Sequence, residues 1–116
     1  MSRTNKVRVE NPQGGKGYLI RESLFEEGCF PENISLYARI TLGPHSTLGY
    51  HLHETNAETY FVLKGEAIYN DNGEKRKIGP GEVTHTSGGR GHGIENDGGE
   101  EFVFMALIHE GGEALS

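Results

Sequence analysis

The sequence predicts an all-β protein, a sandwich or barrel of short antiparallel strands. Three observations carry that prediction. Eighteen of the 116 residues are glycine, and glycine costs about 1 kcal/mol relative to alanine at each helix-interior position, which disfavours packed helices. Residues 34–42 alternate Ile34, Leu36, Ala38, Ile40 and Leu42 with Ser35, Tyr37, Arg39 and Thr41, the period of two expected of a strand with one apolar face. Beyond them, turn signals recur roughly every eight to twelve residues, the spacing of a sandwich or barrel. A chain of this length forms one domain around one core.

Residues 1–17 are polar and run into Asn-Pro-Gln-Gly-Gly-Lys-Gly. They are expected to form an N-terminal arm, mobile or paired with a neighbouring subunit, ahead of a single barrel over residues 18–116. The strand at 34–42 ends at Gly43-Pro44. Residues 48–53 are strand-like again, followed by a polar turn at Glu54-Thr55-Asn56. Residues 58–63 are rich in β-branched and aromatic side chains, which suit a strand. Lys64-Gly65 bends the chain into residues 66–69, and Asn70-Asp71-Asn72-Gly73 is a hairpin turn. Short strands follow at 75–78, 83–86 and 92–95. Residues 101–109 are apolar on both faces and predict a strand buried on both sides.

Charge narrows the partners. Seventeen acidic residues against 11 basic give a formal net charge of −6, unlike a surface for nucleic acid or anionic membrane. Lys75-Arg76-Lys77 is the nearest thing to a basic run, and it is read as a solvated strand face. No stretch approaches the roughly 20 apolar residues of a membrane span, and Met1-Ser2-Arg3-Thr4 leads into no apolar signal core. Cys29 is the only cysteine, so no intrachain disulfide can form, which suits a cytoplasmic protein.

The chemistry concentrates in four residues. His51 and His53 stand two apart on a strand, so both project from one face. Glu58 opens the next strand after a short turn, and His92 lies on a strand of its own that a sandwich can place opposite. Three imidazoles and a carboxylate make a site for one divalent transition metal ion, open to Fe, Mn, Co, Ni, Cu or Zn.

The run His51-x-His53-x4-Glu58-x6-Gly65 resembles the first motif of the cupins, and Gly81-x5-Ser87-x-Gly89-x2-His92-x3-Asn96 resembles the second. The two are separated by the 15 residues between Gly65 and Gly81, and the resemblance spans residues 34–109. It implies a double-stranded β-helix, a jelly-roll cupin barrel, with a metal inside one end held by His51, His53, Glu58 and His92. It also implies a homodimer, for which Tyr37, Val103, Met105 and Leu107 are apolar candidates. Two positions depart from the pattern: the glycine that opens the first motif is His45 here, and the proline of the second is Ser87. Both are turn positions, and neither is a metal ligand.

Alternation extends the site. Tyr60 and Val62 share the face of Glu58, and Ile94 and Asn96 that of His92. Ile40 and Leu42 are expected to face the interior with Phe102 and Phe104 or their neighbours, and Arg39 to face away. His85, on the face of Val83, is the candidate base beside the metal, and Tyr60 a candidate hydrogen-bond partner of a substrate. Glu54 is the alternative proton donor to His85. Arg90, His45 and His109 are read as solvent-facing or structural, and Asn96 as a turn-fixing residue. The motif wording is similar to small bacterial cupins of the oxalate-decarboxylase-like type. Two function classes follow: a metal enzyme acting on a small anionic organic substrate, as a decarboxylase or dioxygenase, or a non-catalytic module that binds a small ligand or metal.

Overall fold

The computed structural model describes residues 5–110, which form ten strands and one 3-10 turn. The strands are β1 (Asn5–Glu10), β2 (Tyr18–Ser23), β3 (Ile34–Leu42), β4 (Ser46–His53), β5 (Asn56–Lys64), β6 (Ala67–Asp71), β7 (Glu74–Ile78), β8 (Val83–Thr86), β9 (Arg90–Asn96) and β10 (Phe102–Glu110). They make two antiparallel sheets, one ordered β1-β2-β3-β10-β5-β8 and the other β4-β9-β6-β7. Sheet-on-sheet packing of this kind is the jelly roll the motifs imply.

The core lies between the sheets and is supplied by alternate residues. Ala38, Ile40 and Leu42 of β3 point inward opposite Ala106, Phe104 and Phe102 of β10. Tyr60 and Val62 of β5 continue the wall, and Tyr69 and Ile94 face them from the other sheet. Each such large side chain contributes about 1.5–3 kcal/mol through burial. The outer positions of β10 are less enclosed than the two-faced apolar pattern suggests. Val103 is buried there, but Met105 and Leu107 are only half-buried.

Turns follow the local chemistry. Asn72 and Gly73 both have positive φ, 52° and 101°, as a two-residue type I′ hairpin between β6 and β7 requires. His45 adopts φ 54°, so the turn keeps the left-handed backbone that glycine would supply more cheaply. Asn96 is buried, and its Nδ2 donates to the carbonyls of Leu42, Gly43 and Glu100 at 3.3, 2.9 and 2.8 Å. It fixes turns, as its place in the motif suggests. Lys75, Arg76 and Lys77 are exposed and pair with Glu95, Asp71 and Glu66.

Of the segment expected to form an arm over residues 1–17, residues 1–4 lie outside the described residues. β1 pairs along its whole length with β2 of its own chain, from Asn5 opposite Ser23 to Glu10 opposite Tyr18. Residues 11–17 then fold across β4. The Lys16 amide donates to Thr47 Oγ1 at 2.9 Å, and the Thr47 amide returns a bond to the Lys16 carbonyl at 2.8 Å. A Cβ at Gly49 would overlap the Gln13 carbonyl oxygen, so this close approach depends on glycine at that position. The contacts are cross-strand and distant in sequence, which is why a polar, glycine-rich stretch gave no sign of them.

Candidate metal centre

β4 and β9 run side by side with His51 directly opposite His92. Between Leu48 and His51 the register shifts, with Gly49 and Tyr50 facing the single position of Gly93. This β-bulge changes the parity of the strand. Leu48 is therefore in the core while His51 and His53, an odd number of residues further on, also face inward and Tyr50 is 48% exposed. Gly91 permits the fold here, because a Cβ on it would overlap the Tyr50 ring. Glu58 enters from β5 in the facing sheet.

The four side chains converge. His92 Nε2 lies 3.0 Å from each of His51 Nε2, His53 Nε2 and Glu58 Oε1. His53 Nε2 is also 3.0 Å from Glu58 Oε1, and the donor atoms of all four lie within 4.8 Å of one another. His53, Glu58 and His92 are buried, and His51 is partly so.

The other ring nitrogen of each histidine decides what this cluster can bind. His51 Nδ1 is 2.8 Å from the Gly49 carbonyl, and His53 Nδ1 is 2.7 Å from Asn56 Oδ1. His92 Nδ1 is 3.0 Å from Thr86 Oγ1 and 3.2 Å from Tyr69 Oη. A carbonyl only accepts, so His51 carries its proton on Nδ1, and the same tautomer suits the other two. All three Nε2 lone pairs are then left on the side where the cluster converges with Glu58, 3.0 Å from Oε1 for His53 and His92 and 4.0 Å for His51. That is the outer arrangement of a metal-ligating histidine set. Without a cation, such lone pairs and a carboxylate oxygen would repel; a divalent transition ion fits the donors.

The electrostatics agree. In the ion-free cluster the imidazoles must instead turn an N–H toward Glu58; burial pushes its carboxyl up, but those hydrogen bonds from His51, His53 and His92 outweigh burial and hold the group far below the usual carboxylate range. The hydrogen bond to Glu58 raises His53, whereas burial lowers His92. Glu58 is thus anionic at neutral pH and His92 favours its neutral form.

Tyr60 joins the cluster. Its hydroxyl is 3.2 Å from Glu58 Oε1 and 3.2 Å from His92 Nε2, and its ring stacks on His92 with centroids 4.9 Å apart. Burial, helped by the negative charge of Glu58, raises its pKa well above the ordinary value. At neutral pH the phenol therefore keeps its proton.

His85 does not join it. On β8 the buried residues are Thr84 and Thr86, while Val83 and His85 are exposed on the outer side of the sheet. His85 Nδ1 is 2.8 Å from Thr59 Oγ1, also on that side. The shared face of Val83 and His85 is correctly read from alternation, but it is the wrong face for a base at the metal. The inward place goes to Thr86 because its hydroxyl meets His92 and Tyr69. Glu54 and Arg90 are exposed.

A cavity of about 340 Å³ opens beside the cluster and is lined in part by His51, His53, Glu58 and Tyr60. Its walls are mostly apolar, with Leu19, Ile40, Leu48 and Phe104 among them. Arg21 of β2 and Gln13 also line it. Neither was a sequence candidate. Arg21 sits in a stretch, Tyr-Leu-Ile-Arg-Glu-Ser, whose period is too irregular to predict a facing. No helix among the described residues is long and apolar enough to cross a membrane.

Comparison with known proteins follows the same lines. The family model described as "Cupin domain" matches residues 38–108. The oxalate-binding protein of Thermotoga maritima is 38% identical over 101 residues, covering 87% of this chain and 84% of that protein. A crystal structure of a predicted oxalate decarboxylase from Thermotoga maritima superposes with a TM-score of 0.87 and 36% identity, covering 94% of this chain and 95% of the other. An uncharacterized Klebsiella pneumoniae protein with a double-stranded β-helix domain has a TM-score of 0.68 and 28% identity over 80% of this chain and 77% of its own.

Proposed function

The chain belongs to the cupin domain family, and from that premise we propose that it holds one divalent transition metal ion on His51, His53, Glu58 and His92 and uses it to engage a small organic carboxylate. The supporting observation is the acceptor behind each histidine, at Gly49, Asn56 and Thr86, which leaves every Nε2 free to ligate. When bound, the ion supplies Lewis-acid polarisation of a ligand oxygen. Four protein ligands leave room for a small anion from the cavity side, which His51, His53 and Glu58 line and His92 does not. The oxalate named for the Thermotoga relative is a ligand of the required kind.

Turnover of the decarboxylase or dioxygenase type is supported by Tyr60, an apolar-walled phenol that keeps its proton beside the donor cluster. It can donate a hydrogen bond to a ligand oxygen or deliver a proton where a carbon–carboxyl bond breaks. A non-catalytic ligand- or metal-binding module is the second reading, favoured by the relative being named for binding. The exposed lone Cys29 is compatible with a cytoplasmic setting. A homodimer would cover the outer face of the larger sheet, where Phe61, Leu63 and Val83 are 44%, 42% and 59% exposed.

The test is elemental analysis of untagged protein purified without chelators, beside the His51→Ala/His53→Ala double variant. One equivalent of a transition metal, lost in the variant, supports the site, and full metal in the variant refutes it. Metal-loaded protein is then titrated with small carboxylates and assayed for CO2 release and O2 uptake. Binding without either would select the non-catalytic reading.

A further inference from the structure

Arg21 is out of place for a barrel wall. Its register partner is Ile40, a core residue of β3, and its neighbour two positions back on the same face is Leu19, also in the core. Arg21 therefore lines the cavity, half-buried, beside apolar residues. Among the described residues no ion pair joins it to a carboxylate, whereas the exposed Arg8, Lys75, Arg76 and Lys77 pair with Glu10, Glu95, Asp71 and Glu66. A partly buried cation in an apolar wall carries a desolvation cost that a counter-anion relieves. Arg21 is the only Lys or Arg lining a cavity whose other charged feature is the His51–His53–Glu58 cluster.

Gln13 adds a second polar group at the exposed rim. It is held there with φ 50°, next to Asn11 at φ 48°. These two non-glycine excursions into the left-handed region, on either side of Pro12, are maintained by the packing of this turn on β4.

Resting on the carboxylate-ligand reading above, we propose that Arg21 is a specificity-determining residue that selects a small dicarboxylate, taking one carboxylate on its guanidinium while the other faces the metal cluster. The planar fork of arginine matches a carboxylate with two parallel N–H···O bonds, and the roughly 340 Å³ cavity suits a small acid rather than a polymer. Gln13 would donate to the same end from the rim.

The test compares ligands as well as variants. Wild type, Arg21→Gln and Arg21→Lys are prepared with matched metal content, and their thermal unfolding is recorded to establish a common fold. Each is titrated calorimetrically with oxalate, malonate and succinate, and with acetate as the single-carboxylate reference. We expect Arg21→Gln to weaken the preferred dicarboxylate at least tenfold while acetate changes less than twofold. Arg21→Lys should recover part of the loss, as a charge without the fork. An unchanged dicarboxylate-to-acetate ratio in Arg21→Gln overturns the assignment while leaving the metal site and carboxylate reading standing. Failure of metal-loaded wild type to bind any of the four acids overturns the carboxylate reading itself, and the Arg21 assignment with it.

Discussion

Thr86→Val and Tyr69→Phe, made singly and together, probe how His92 is prepared to ligate. His92 is wholly enclosed, at 0% exposure, so no water can replace a lost acceptor. Thr86 Oγ1 at 3.0 Å and Tyr69 Oη at 3.2 Å both lie within reach of its Nδ1, and each can serve when the other is gone. Either single variant should therefore weaken metal binding by about tenfold or less. The double variant leaves a buried N–H with no acceptor, a cost of about 1–3 kcal/mol. The imidazole can escape that cost by moving its proton to Nε2, where it would donate to Glu58 and cease to be a ligand. Both routes lower affinity, and the expected loss in the double variant is on the order of a hundredfold. One decade corresponds to about 1.4 kcal/mol, so the hundredfold loss exceeds the sum of the single effects, and the two substitutions are coupled, by as much as each single variant falls short of tenfold. Competition against a chromophoric chelator measures the affinities, and unfolding of the metal-free proteins controls for packing. Affinity within twofold of wild type in the folded double variant would refute the idea that these hydroxyls set the tautomer.

Other outcomes follow from the same geometry. In metal-free protein the depressed Glu58 carboxyl contributes stability that is complete above its ordinary value of 4.5 and is lost as pH falls below it. Acid denaturation curves should accordingly be shallower for Glu58→Gln than for wild type, and identical slopes would contradict the hydrogen-bonded cluster. Tyr60→Phe should keep its metal while losing turnover or ligand affinity at least tenfold, whereas His85→Ala should change both by less than twofold. The reverse pattern would return His85 to the site. Light scattering at micromolar concentration should give a dimer mass, and Phe61→Asp should give a monomer if the outer face of the larger sheet is the interface.

Much of this protein was legible because β structure has local rules. Alternation alone placed Glu58, Tyr60 and Val62 on one face and His92, Ile94 and Asn96 on another, and Asn72-Gly73 announced its turn. Donor chemistry and spacing picked out His51, His53, Glu58 and His92 before any fold was known. Where local rules were read through hydrophobicity, they misled. Val83 looks like the inward residue of β8, but it is 59% exposed, because the buried hydroxyl of Thr86 has a partner in His92 and the Val83 side chain does not.

What the sequence by itself determined is the set of candidate donor residues and the parity of regular strands, since residue type and alternation are properties of the chain itself. Tertiary structure decided the rest: the Gly49–Tyr50 bulge that turns both Leu48 and His51 inward, the acceptors behind the histidines, and the strand made by residues 5–10. It also decided that Arg21 faces the cavity. These features depend on pairings such as His51 with His92, 41 residues apart, and Arg21 with Ile40 across β2 and β3. A cross-strand partner has no local signature, because it exists only once loop closure has brought the two strands into register.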